Sequence, residues 1–190
     1  MIRNIGFAIT GSFCTHDKAI LIVKELSKKY NVIPILSENV FNTNTRFGKA
    51  NELIEQLEII TKNKVISSIV SAEPIGPKKL VDVIIVAPCT GNTLSKITNA
   101  ITDTSVTMAV KSHLRCNRPV IIGLSSNDSL GKNFENIGKL FNSKNIFFVP
   151  LWQDDYVNKP NSLVCDFSLI EKTLNLAIDN KQIQPIFITK

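Results

Sequence analysis

Residues 81–103, VDVIIVAPCTGNTLSKITNAITD, constrain this chain more than any other stretch. The β-branched run Val81, Val83, Ile84, Ile85 and Val86 has no polar alternation, the pattern of a strand buried on both faces in a parallel sheet covered by helices. Ala87-Pro88 closes the strand, and Thr90, Asn92, Thr93 and Ser95 follow where a helix begins. Such side chains cap a helix and donate to an anion held at its positive end. In open α/β sheets this strand, loop and helix corner is where ligands bind. The centre of the site is therefore expected here.

The same alternation recurs along the chain. Residues 5–10 form an apolar run ending in Thr10-Gly11-Ser12, ahead of a helical face made by Ala19, Ile22, Val23, Leu26 and Tyr30. A strand at 32–36 opens into the polar stretch 37–48, long enough to be a functional loop. A helix follows through Ala50, Leu53, Ile54, Leu57 and Ile60, then a possible short strand at 65–70 and a loop at 71–79 set by two prolines and a glycine. Val106, Ala109, Val110, His113 and Leu114 share a helical face before a strand at 119–124. A helix through Phe134, Ile137 and Phe141, a strand at 146–149, a loop at 151–161 and a last helix opened by the box Ser168-x-x-Glu171 complete the order. Residues 183–190 form an apolar tail, an added strand or a contact with another chain.

Strands and helices alternate with no linker and no repeat. The expected fold is α/β: a single doubly wound, flavodoxin-like or Rossmann-like domain over 1–190, with a parallel sheet and helices on both faces. Right-handed crossovers then bring Gly11, Ser12, Ser37, Thr90, Gly91, Asn92, Thr93 and Asn127 to one rim. Three hydroxyl-bearing loops there suit a single phosphomonoester. The glycine spacing around Gly11 does not fit a dinucleotide fingerprint, since Phe13 and His16 stand where glycines would be needed, and no P-loop lysine follows.

Other classes are argued against by composition. The excess of 22 basic over 16 acidic residues is scattered, without aromatic interleaving, which reads as a solvated surface and not as a nucleic-acid face. Cys14, Cys89, Cys116 and Cys165 are widely spaced, giving neither a zinc pattern nor a disulfide framework, so no metal is expected and a reducing cytoplasm is. No stretch is apolar enough to span a bilayer. Of the two histidines, His113 lies on an apolar helix face, as core or interface, while His16 stands at the mouth of the first glycine loop.

The stretches GFAITGSFCT and APCTGNTLSKITNAITD resemble the two fingerprints of the flavoprotein superfamily that includes FMN-dependent cysteine decarboxylases and flavin prenyltransferases. Together with NTRFG, SIVSAEPIGPK, NRPVIIG, SKNIFFVP, QDD and KPNS, they are most similar to the dipicolinate synthase B-subunit family. The resemblance implies a role in sporulation, in the mother-cell cytoplasm: with a separate A subunit that carries NAD(P), the chain would help oxidise dihydrodipicolinate to dipicolinate. It also implies FMN, with Gly11, Ser12 and Ser37 at its phosphate, Thr90, Gly91, Asn92 and Thr93 along the flavin, and Lys96 and Asp103 behind it. A homo-oligomer is expected by the same analogy.

The departures matter too. The decarboxylases keep a catalytic histidine in the loop where this chain has Glu73, and of their Pro-x-Met-Asn clamp only Asn127 is retained. Cysteine decarboxylation is thus disfavoured. A stand-alone FMN enzyme and a non-catalytic substrate-holding subunit are the alternatives. For a small dicarboxylate substrate, Arg46 is the first expected partner, because a guanidinium pairs with a carboxylate through two parallel hydrogen bonds. A second cation is sought among Lys78, Lys79, Arg115 and Arg118. Glu73 and His16 are the candidate proton-handling groups; Asp154 and Asp155 either join them or face a neighbour.

Overall fold

The computed structural model describes residues 3–189. Seven strands are formed among the described residues: β1 (Asn4–Ile9), β2 (Asn31–Leu36), β3 (Val83–Cys89), β4 (Val120–Ser126), β5 (Ile146–Phe148), β6 (Leu151–Trp152) and β7 (Leu163–Cys165). Strands β2, β1, β3, β4 and β5 are parallel neighbours in that order, the doubly wound arrangement expected from the sequence. The order reverses beside β1, since β2 lies to one side of it and β3 to the other, which makes a switch point above their carboxyl ends.

Eight α-helices among the same residues connect and cover the strands: α1 (His16–Leu26), α2 (Glu38–Asn42), α3 (Ala50–Thr61), α4 (Ile69–Ala72), α5 (Gly91–Thr98), α6 (Ser105–Leu114), α7 (Asn133–Phe141) and α8 (Ile170–Ile178). Every residue of β3 is buried, as its unalternated run requires, and Phe7, Ile9, Ile84, Ile85 and Leu94 are fully enclosed. Complete burial of each such side chain contributes about 2–3 kcal/mol. The expected face of α6 is also inward: Val106, Ala109, Val110 and His113 are all buried.

The end of the sheet departs from a purely parallel pattern. The first half of β4 pairs with β5 at Val120–Ile122, whereas Ser125 and Ser126 turn away to pair antiparallel with Val164 and Leu163 of β7, which in turn pairs with β6. Strands of two and three residues carry too little alternation to be read from sequence, so the expected loop at 151–161 proves to be the start of a hairpin. The tail is an added edge: Leu151 bridges Phe187, with the Leu151 N–H donating to the Ile186 carbonyl at 2.8 Å. Lys190 lies outside the described residues.

Two further expectations are corrected. The strand at 65–70 shrinks to a single bridge between Ile35 and Ile66, because Ser68 and Ser71 cap each other's backbone and start α4 instead. The box Ser168-x-x-Glu171 does not form. Ser168 Oγ donates to Asp166 at 2.7 Å, Asp166 caps the turn, and Glu171 pairs with Lys29.

Candidate functional site

The site is assembled from the carboxyl ends of β1, β3 and β4. Thr10, at the end of β1, is 1% exposed and ties two of these ends together. Its N–H and its hydroxyl both donate to the Pro88 carbonyl, at 3.2 and 2.8 Å, and its Oγ1 accepts from the Thr90 N–H at 2.9 Å. Ser12 links β1 to β4, with its hydroxyl 3.0 Å from that of Ser125. The three loops are therefore stitched into one rim before any ligand arrives.

On that rim Thr90 caps α5, accepting from the Thr93 N–H at 3.2 Å and donating to the Thr93 hydroxyl at 3.0 Å. The Leu94 N–H bonds the Thr90 carbonyl. The first-turn donors that this cap does not engage are the N–H groups of Gly91 and Asn92, at the positive end of the helix. A Cβ at Gly91 would lie 2.6 Å from Asn133 Nδ2 and 2.7 Å from Ser126 Oγ, so any side chain there would have to displace both of these side-chain ends. The backbone is thus bare where a ligand can approach it.

A cleft of about 760 Å³ opens over this rim, within the range of small-molecule sites. Gly11, Ser12, Thr90, Gly91, Asn92 and Asn127 line it, as does Arg46. Arg46 reaches the cleft from a tight turn in which Thr45 and Gly48 pair; Gly48 has φ of 150°, a conformation that a side chain would strain. The guanidinium stands 4.8 Å from the centre of the Phe47 ring, which orients it without neutralising it. The wall also includes Phe13, Cys14, Phe47, Ser126, Asp128, Asn133, Asp154, Lys159 and Ser162. Lys159 and Asn133 were not foreseen, because nothing local in the sequence marks a loop residue that the fold carries to a distant rim.

The remaining expected residues lie elsewhere. Thr93 is buried as the partner of Thr90, one turn behind the wall. Ser37 is buried at the end of β2, its hydroxyl without a hydrogen-bond partner, and is not part of the cleft lining. His16 is buried with Nε2 2.9 Å from the Thr10 carbonyl, and burial lowers its pKa against that hydrogen bond and the nearby Asp17. It lines a smaller groove beside α3. Glu73 is exposed beside the C-terminal end of α6, 3.6 Å from Arg115, and does not line the cleft. Neither His16 nor Glu73 lines the cleft, whereas Asp154 does.

Arg118 donates to the Val81 carbonyl, and neither it nor Lys78, Lys79 or Arg115 lines the cleft. Lys96, in α5, pairs with Asp103 at 2.9 Å, and neither lines the cleft. Cys14 faces the cleft, whereas Cys89 is buried and its thiol pKa is pushed up strongly by burial. Among the described residues no group of three or more His, Cys, Asp or Glu side chains could hold a metal. No helix among them is long and apolar enough to cross a membrane.

A seven-stranded, mostly parallel sheet with a polar, glycine-floored cleft at its switch point defines a class. The Flavoprotein family profile matches residues 1–175, and the chain belongs to that family. Its likeness is more particular than the family. Over 187 residues it is 45% identical to the dipicolinate synthase B subunit of Bacillus subtilis strain 168, covering 98% of this chain and 94% of that one. The crystal structure of the dipicolinate synthase B subunit from Bacillus halodurans C superposes with a TM-score of 0.91 at 40% identity, covering 99% and 97% of the two chains. DmrB of Burkholderia xenovorans, solved in complex with FMN as a cubic protein cage, shares the fold at 17% identity, with a TM-score of 0.71 over 94% and 96%.

Proposed function

We propose that this chain is the B component of a dipicolinate synthase, an oxidoreductase subunit that works with a nicotinamide-binding A subunit to convert dihydrodipicolinate to dipicolinate in the mother cell of a sporulating bacterium. The observation that carries the reading is the convergence, in one cleft, of an anion-binding helix end with Ser12 and the unneutralised Arg46. One cavity thus offers donors for a phosphate and a guanidinium for a carboxylate.

The residues present fit FMN. The cleft has the volume, Gly91 leaves the backbone bare, and the Gly91 and Asn92 N–H groups with the Ser12 hydroxyl are donors suited to a phosphate or a flavin edge. Bound there, FMN would supply the capacity to accept or relay a hydride. The chain's own part is positioning. Arg46 holds a substrate carboxylate by paired hydrogen bonds, Asn127 donates from the end of β4, and Phe47 and Phe13 shield the ring plane from water. A homo-oligomer that works with the A subunit completes the proposed assembly.

A second reading has its own support. Because His16 bonds the Thr10 carbonyl and Glu73 lies at the C-terminal end of α6, outside the cleft lining, the chain can instead hold the substrate while A performs the proton and hydride chemistry. The test is an absorbance spectrum of the purified chain, then FMN titration of wild type and of the Ser12→Ala, Asn92→Ala double variant, followed by turnover with A. Wild-type binding lost in the double variant supports the flavin site. A wild type that binds no FMN yet is required for turnover with A leaves the substrate-holding role.

A further inference from the structure

We infer that Lys159 is the second carboxylate anchor of the cleft, held in waiting by Asp154 until a dicarboxylate takes that partner's place. The inference rests on the proposed function and names the group that this function lacked. Among the residues lining the cleft only Arg46 and Lys159 are cationic. They come from opposite flanks. Arg46 lies in the connection that leaves β2, and Lys159 between β6 and β7, so the rim of β1, β3 and β4 runs between them. A molecule with a carboxylate at each end is the ligand class that engages both.

The local structure shows a side chain on a firm base with a replaceable partner. The Lys159 N–H donates to the Asp155 carbonyl at 2.8 Å, the Ser162 N–H donates to the Lys159 carbonyl at 3.0 Å, and Gln153 Nε2 donates to the Pro160 carbonyl at 3.0 Å. The ammonium itself meets a single oxygen of Asp154 at 3.4 Å, a long contact for a charged pair, and the Lys159 side chain is half exposed. An ammonium has three donors, so most of its capacity is unspent. Such a pair is weak in water. Asp154 is the better buried of the two and is also bonded by Ser162, so it stays in the wall when the lysine turns to a ligand.

The test is calorimetric titration of pyridine-2,6-dicarboxylate and of pyridine-2-carboxylate into wild type, Lys159→Ala and Asp154→Asn, with FMN titration alongside to report an intact cleft. Lys159→Ala is expected to weaken the dicarboxylate at least tenfold while leaving the monocarboxylate and FMN within twofold. Asp154→Asn is expected to tighten the dicarboxylate, because a competing carboxylate has been removed. Equal dicarboxylate affinity in wild type and Lys159→Ala overturns the inference while the proposed function stands. Parallel weakening in both variants also overturns it, by showing the pair to be a brace. A wild type that binds FMN but neither pyridine acid overturns the proposed function itself.

Discussion

Thr10→Val removes one hydroxyl and keeps the side-chain volume, so the loss it causes can be worked from two hydrogen bonds. Oγ1 accepts from the Thr90 N–H at 2.9 Å and donates to the Pro88 carbonyl at 2.8 Å, at a site that is 1% exposed. The Pro88 carbonyl keeps the Thr10 N–H, so its share of the loss is a net hydrogen bond of about 1 kcal/mol. The Thr90 N–H loses its protein acceptor at a part-buried position on the cleft, which costs about 1–2 kcal/mol, the lower part of the range for an unsatisfied donor. Together the variant should lose about 2–3 kcal/mol. For a chain of this length that is a fall in Tm of roughly 5–10 °C. Urea denaturation should show a lower midpoint with an unchanged slope, since the surface exposed on unfolding is the same. Thr10→Ser should recover most of the loss. A loss below about 0.5 kcal/mol would refute the claim that this hydroxyl, and not packing, joins β1 to β3.

Two other outcomes follow from the same geometry. Gly91→Ala pushes a methyl group against the side-chain ends of Asn133 and Ser126, which must shift, and should cost about 1 kcal/mol while weakening FMN binding; full FMN affinity in a folded variant would contradict the bare-backbone argument. His113 is fully buried, faces the Pro119 carbonyl without completing a hydrogen bond, and has Arg118 and Asp82 as its charged neighbours. Burial, aided by Arg118, holds its pKa down to about 4 from 6.5. Between these values the unfolded chain binds more protons, so stability is complete above pH 6.5 and falls as the pH drops toward 4, by about 3 kcal/mol. His113→Leu should remove that part of the acid loss, and urea midpoints measured from pH 7 to 4 that fall equally in both proteins would disprove it.

Much of the architecture was legible because burial writes a periodic record. The unbroken apolar run of β3 and the helical stripe from Val106 to His113 each mark a face that must leave water, and both are buried as read. Short elements leave no such record. The hairpin of β6 and β7 spans two and three residues, and the failed helix start at Ser168 turned on its hydroxyl donating to Asp166 where a capping box needs it to accept from the Glu171 N–H. The small helix α4 likewise arose from a mutual cap between Ser68 and Ser71, within a stretch whose apolar residues read equally well as a strand.

The site divides along the same line. Gly11, Ser12, Thr90, Gly91 and Asn92 stand at strand ends next to helix starts, and right-handed crossovers oblige such corners to share one rim; the sequence by itself determined that much. It could not place groups whose position depends on how distant segments return. Tertiary structure alone decided that Thr10 would stitch β1 to β3, that Glu73 would lie by the C-terminal end of α6 and that Lys159 would come to the cleft across the antiparallel edge of the sheet. The physical reason is that hydrophobic periodicity fixes which face of an element is buried, whereas the hydrogen bonds and charge contacts of loops are fixed only once those buried faces have packed and brought the loop ends together.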